Sequence, residues 1–181
     1  RVEGREKVPK RGGVIIAPNH LSYYDPPLVG SALLKREIYY LTKEELFSSK
    51  KFFSWLIRKF NAIPIRRGGV DRKAITDLLE LLSRGEAVCI FPEGTRSTGG
   101  ALLPPKRGFG YVVLRSGTLV VPTFVGGTNY PLRELFLRRR RLRVRFGEPI
   151  DPKRFLELGK GSELYSRVGE VVMEEIEKLD R

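Results

Sequence analysis

Glutamine is absent from this 181-residue chain, and histidine, cysteine, methionine and tryptophan each occur once. With one histidine, imidazole chemistry near neutral pH is confined to a single place, His20. With one cysteine there is no internal disulfide. Cys89 lies inside the apolar run Ala87-Val88-Cys89-Ile90-Phe91, the setting of a small buried hydrophobe rather than of a nucleophile. One histidine and one cysteine cannot furnish the ligands of an ordinary zinc site, so no metal is expected. No Gly-x-Ser-x-Gly elbow is present, which removes the usual serine nucleophile. No apolar run approaches the ~18 residues that mark a transmembrane helix, and no secretory leader pattern opens the chain. It starts at Arg1 rather than Met, which leaves room for a membrane-anchoring segment upstream. Neither a repeat nor a linker divides it, and the length suits one domain over residues 1–181.

What the chain has in quantity is positive charge: 34 Lys and Arg against 21 Asp and Glu, formally +13. That balance fits an anionic partner, whether a phospholipid surface, a phosphorylated substrate, an acidic protein or nucleic acid. A hydrophobic share of 41% beside 30% charged residues describes a folded globule. Short apolar runs alternate with helical patterns. Strands are expected at Val14–Ala17, Ile38–Leu41, Ala62–Ile65, Ala87–Phe91, Leu119–Val125 and Leu142–Phe146. Helices are expected at Pro26–Leu34, Lys50–Phe60, Asp71–Ser83, Arg107–Arg115, Pro152–Leu158 and Ser162–Leu179. Such alternation predicts an α/β fold: a three-layer α/β/α domain with a mixed, mainly parallel central sheet and helices on both faces. In sheets of this kind ligands bind in the loops beyond strand ends.

Two polar motifs sit at such ends. Asn19-His20-Leu21-Ser22-Tyr23-Tyr24-Asp25-Pro26 follows the first expected strand, and Phe91-Pro92-Glu93-Gly94-Thr95-Arg96-Ser97 follows the fourth. His20 is a candidate general base, and a carboxylate on one ring nitrogen would fix its tautomer and stabilise the imidazolium. Asp25 is the nearest carboxylate. On one continuous helix five residues diverge by about 140°, whereas a strand–turn–helix with Pro26 near the first helical position brings Asp25 back under His20. Spacing alone leaves equally open that Asp25 only caps a helix and that His20 is a solvated turn residue. With no serine or cysteine nucleophile in view, a histidine base would activate a hydroxyl of the substrate itself.

These residues resemble the glycerolipid acyltransferases. Asn19, His20 and Asp25 match the family's Asn-His-x4-Asp motif, and Phe91 to Ser97 match Phe-Pro-Glu-Gly-Thr-Arg-Ser without a change. Asn61-Ala62-Ile63-Pro64-Ile65-Arg66-Arg67 is similar to its Gly-x-Ile-x-Ile-x-Arg motif, with Asn61 in place of the glycine. Val121-Pro122 matches a late Val-Pro pair. Leu103-Pro104-Pro105-Lys106-Arg107-Gly108 is similar to Leu-Pro-Phe-Lys-x-Gly. The resemblance implies a single acyltransferase domain that moves a fatty acyl group from a thioester to the free hydroxyl of lysophosphatidic acid, giving phosphatidic acid. It implies His20 as base with Asp25 orienting the ring, Glu93 and Gly94 shaping the acceptor site, and Arg67 and Arg96 on the phosphate. Thr95 and Lys106 would add donors there. No cofactor is implied beyond the donor, acyl-CoA or acyl carrier protein. The partners implied are that donor, a lysophospholipid acceptor and an anionic membrane surface, with no nucleic acid. The same motifs serve another lysophospholipid or polar lipid as acceptor.

Two further stretches bear on location. Lys50–Phe60 places Phe52, Phe53, Leu56, Ile57 and Phe60 on one helical face with Trp55 at its shoulder, which suits a lipid interface or equally a core helix. Arg138–Arg141 adjoins Leu135, Phe136 and Leu137 and suits anionic headgroups or a solvated hairpin. With the resemblance they suit work at the cytoplasmic face of the cell membrane, peripherally or through an upstream anchor. A basic nucleic-acid-binding module is the rival class; it lacks a recognised motif and aromatics interleaved with the arginine run.

Overall fold

The computed structural model describes residues 1–33, 36–47, 61–66, 71–97, 99–130, 133–134 and 141–181. Within them lie strands β1 (Val2–Glu3), β2 (Val14–Pro18), β3 (Ile38–Lys43), β4 (Ala62–Ile65), β5 (Ala87–Cys89), β6 (Leu119–Gly126) and β7 (Arg143–Phe146). The helices are α1 (Asp25–Ala32), α2 (Glu44–Phe47), α3 (Arg72–Ser83), α4 (Arg107–Ser116) and α5 (Gly161–Lys178). The seven strands form one sheet in the order β1-β7-β6-β2-β5-β3-β4. Pairings among β2 to β6 are parallel, β7 runs antiparallel to β6, and β1 is parallel to β7. The sheet is therefore mixed and mainly parallel.

β2 occupies the middle because all five of its residues are buried, as a strand covered on both faces requires. Ile16 stands opposite Cys89 on β5 and Val121 on β6. The two-residue period sends Ile15, Ala17, Val88, Val120 and Phe124 to one face. There they meet Leu78 and Leu82 of α3, Val113 of α4 and Val168, Val172 and Ile176 of α5. Val14, Ile16, Cys89, Val121 and Val125 turn to the other face and pack with Val29 and Ala32 of α1. α4 and α5 approach closely because Gly110 has no side chain: a Cβ there would stand 2.0 Å from the Tyr165 carbonyl oxygen.

Four short elements depart from the sequence reading, one of them a 3₁₀ turn at Arg5–Lys7. β1 was not expected; it is two residues long and is held by its ladder to β7 and by the ion pair of Glu3 with Arg145 at 3.2 Å. α2 is a single short turn that continues β3. Pro152–Leu158, expected among the helices, is wound as a 3₁₀ helix. Pro152, Phe155 and Leu158 recur every three positions, which the 3₁₀ winding puts on one side, while the fourth apolar residue, Leu156, is exposed. The expected helix Lys50–Phe60 and the arginines 138–140 lie outside the described residues, while Arg141 is exposed.

Candidate active site

The parallel pairing of β2 with β5 brings their C-terminal ends together, and each end releases one motif. Asn19 comes first beyond β2 and is almost fully buried. Its Nδ2 donates to the Val125 carbonyl (3.0 Å), and its Oδ1 accepts from the Val125 N–H (2.7 Å). Its own N–H donates to the Thr123 carbonyl at 3.3 Å. The side chain thus prolongs the β2–β6 ladder by one rung made of amide rather than backbone, and the next residue, His20, leaves from a fixed point.

The chain then turns through Leu21–Tyr24 and enters α1 at Asp25, with proline in the first helical turn. Asp25 is fully buried. Its Oδ2 accepts from His20 Nδ1 at 2.8 Å and from the backbone N–H groups of Leu21 (2.6 Å) and Ser22 (2.7 Å). The carboxylate therefore caps the turn before the helix, not the helix itself, and holds the imidazole in the same grip. The His20 ring is stacked on Phe91, centroids 4.0 Å apart and planes 26° apart. The His20 side chain keeps 16% of its surface exposed. Among the described residues no hydrogen bond reaches Nε2, which leaves that nitrogen for a substrate proton.

Glu93 enters the cluster from the second motif, fully buried. Oε1 accepts from the His20 N–H (2.7 Å) and Oε2 from the Leu103 N–H (2.9 Å). Burial pushes its carboxyl above the ordinary range, opposed by those two backbone donors. The Ser97 N–H donates to the His20 carbonyl at 2.8 Å, so the backbone of His20 is bonded to the second motif on both sides. Sequence reasoning gave Glu93 a part in shaping the acceptor site. Both its oxygens are occupied by backbone, so any such part is exerted through the two loops it ties together.

Gly94 takes a left-handed turn (φ +64), and a Cβ there would stand 3.0 Å from Lys106 Cγ. The bare glycine admits the lysine stem. Lys106 is exposed and sits as the residue before α4, its N–H donating to the Pro92 carbonyl at 2.8 Å, with no side-chain cap of its own. Thr95 is exposed on the same turn. Arg96 lays its guanidinium over the Tyr23 ring, Cζ 3.6 Å from the centroid. Arg67 falls outside the described residues. Its neighbour Arg66 is exposed and paired with Glu44 at 3.3 Å.

Cys89 ends β5, fully buried, and burial followed by the nearby Asp25 charge pushes its thiol far up from the ordinary value. It is no nucleophile in this fold. A groove of 320 Å³ lined by Tyr39, Asn61, Asp77 and Arg84 among others, and one of 450 Å³ along α5, contain no residue of either motif.

Comparison with known proteins gives the family of the chain. The family model described as Acyltransferase matches residues 1–126. The chain belongs to the acyltransferase family. It is 30% identical over 180 residues to the 1-acyl-sn-glycerol-3-phosphate acyltransferase of Bacillus subtilis, spanning 99% of this chain and 87% of that one. It is 33% identical over 108 residues to the lyso-ornithine lipid O-acyltransferase of Pseudomonas aeruginosa, 59% of this chain and 40% of that one. The crystal structure of the 1-acyl-sn-glycerophosphate (LPA) acyltransferase PlsC from Thermotoga maritima is similar with a TM-score of 0.73 at 30% identity, covering 99% of this chain and 71% of that one.

Within this acyltransferase, then, the structure brings His20, Asp25, Glu93, Gly94 and Lys106 into one contact network and sets Arg96 on its rim. Sequence reasoning missed the supporting residues. Asn19 was read only as a motif letter, though an amide directly after an apolar strand is a signal for prolonging a ladder. Tyr23 and Phe91, one stacked on Arg96 and the other on His20, carried no signal of their own.

Proposed function

We propose that this acyltransferase moves a fatty acyl group from an acyl thioester to the free hydroxyl of lysophosphatidic acid, giving phosphatidic acid. The observation that carries the reading is the 2.8 Å bond from His20 Nδ1 to buried Asp25. That bond commits the Nδ1 proton to the carboxylate and makes Nε2 the basic nitrogen.

His20 Nε2 takes the acceptor hydroxyl proton as the oxygen attacks the thioester carbonyl carbon. The imidazolium formed is stabilised by Asp25. Collapse of the tetrahedral intermediate breaks the carbon–sulfur bond, and the thiolate leaves with the proton returned from His20. Atoms balance with donor and acceptor alone, so the reaction consumes no cofactor. Transfer is direct, because the buried Cys89 offers no competing nucleophile. Arg96 and Lys106 serve the acceptor phosphate, as guanidinium and ammonium groups do. The excess of positive charge supports an anionic partner, and membership of the acyltransferase family favours a membrane surface, met peripherally at its cytoplasmic face, over nucleic acid. Among the described residues no helix is long and apolar enough to cross a membrane.

A second reading, a different lysophospholipid or polar lipid as acceptor, is favoured by the likeness to the lyso-ornithine lipid enzyme. Incubating purified protein with a labelled acyl thioester and a panel of lysolipids separates the two. Product should form chiefly with lysophosphatidic acid; preference for an acceptor without a phosphate monoester contradicts the first reading.

A further inference from the structure

Tyr23 lies within the catalytic loop, three residues after His20, and is 60% exposed. A tyrosine that buries so little of itself adds little to the core, yet the face of its ring covers the guanidinium of Arg96 at 3.6 Å. The two residues belong to different motifs. The Ser97 N–H to His20 carbonyl bond, 2.8 Å, joins the same two loops one residue after Arg96 and three residues before Tyr23. Backbone bond and stack together make a frame in which the place of Arg96 is set relative to His20.

The manner of holding matters. An ion pair would occupy the N–H fork that a phosphate needs. Stacking occupies only the face of the guanidinium and leaves its in-plane donors at the edge. The carboxylates of these loops do not compete for it. Asp25 and Glu93 are both fully buried, bonded to the His20, Leu21, Ser22 and Leu103 nitrogens. In the acceptor the phosphate and the reacting hydroxyl are separated by a short glycerol backbone. A cation held in place beside the base therefore binds the phosphate alike in the ground state and the transition state.

We infer that Tyr23 is a positioning residue for acceptor binding: it holds the Arg96 guanidinium by its face so that the edge meets the phosphate monoester. This rests on the proposed phosphate-bearing acceptor. The test is steady-state kinetics with lysophosphatidic acid at saturating acyl thioester, on Tyr23→Phe and Tyr23→Ala, each in the parent and in Arg96→Ala. Tyr23→Ala should raise KM about two- to fivefold with kcat nearly unchanged, the fold-change that ~0.5–1 kcal/mol of exposed cation–π contact produces. Tyr23→Phe keeps the ring and should match the parent. In the Arg96→Ala background the alanine change should add nothing, and melting temperatures should stay together throughout. Three results overturn the inference: an unchanged KM in Tyr23→Ala, an equal loss in Tyr23→Phe, or a full effect that persists without Arg96. Failure of the underlying reading looks different, because the parent itself would then prefer an acceptor lacking a phosphate monoester.

Discussion

Replacing Asn19 with alanine removes one small amide and strands two backbone groups. The Val125 N–H and carbonyl are both satisfied by the Asn19 side chain, at 2.7 and 3.0 Å, and Val125 is fully buried. An unsatisfied buried polar group costs about 1–3 kcal/mol, so the pair costs about 2–6 kcal/mol. That is a large fraction of the ~5–15 kcal/mol that stabilises a typical domain. For a chain of this size it corresponds to a fall in melting temperature of roughly 4–24 °C. Asn19→Asp is no remedy, since it sets an oxygen against the Val125 carbonyl and buries a charge. Thermal melts followed by circular dichroism, with urea titrations for the free energy, measure the loss directly. A loss below about 1 kcal/mol for Asn19→Ala would mean that the amide rung is not what anchors the end of β2.

Asp25→Asn keeps the shape but removes the charge beside His20, so turnover should drop about 10²–10⁴-fold by steady-state assay; near-parental turnover would leave Asp25 a turn cap only. Cys89→Ala should retain most turnover, and thiol-alkylating reagents should leave the native enzyme active, because the buried thiol takes no part in transfer. Glu93 has a folded-state carboxyl raised by burial, so the native state binds its proton more tightly than the unfolded one. The Glu93 contribution to stability therefore falls as pH rises from the ordinary carboxylate range through the raised value. Melting temperatures of native protein minus Glu93→Gln, taken from pH 7 downward, should rise through that window; a flat difference contradicts the assignment.

The sheet was legible where strands carry their own signal. Val14–Ala17 and Ala87–Phe91 are apolar throughout, and they became the paired centre of the sheet. The direction of β7 was not legible, since Arg-Val-Arg-Phe alternates the same way whichever way it runs. β1 has too few residues for any period to show. At the site, the motifs named His20, Asp25 and Glu93, but residue type does not say what a carboxylate faces. Only the fold shows Asp25 gripping its own turn as well as the imidazole, and Glu93 turned inward onto two backbone N–H groups. Asn19 and Tyr23 act through contacts more than 70 positions away in sequence, which no local pattern encodes.

The central claim is that His20 is the base in a direct transfer. Turnover of His20→Ala, measured beside its affinity for lysophosphatidic acid by titration calorimetry, tests it most directly. The chain has no second histidine to substitute. Turnover should fall by at least the ~10²–10⁴-fold of a lost general base while acceptor affinity is retained. A variant that keeps more than about a tenth of parental turnover would contradict the account, because a lost general base costs at least ~10²-fold.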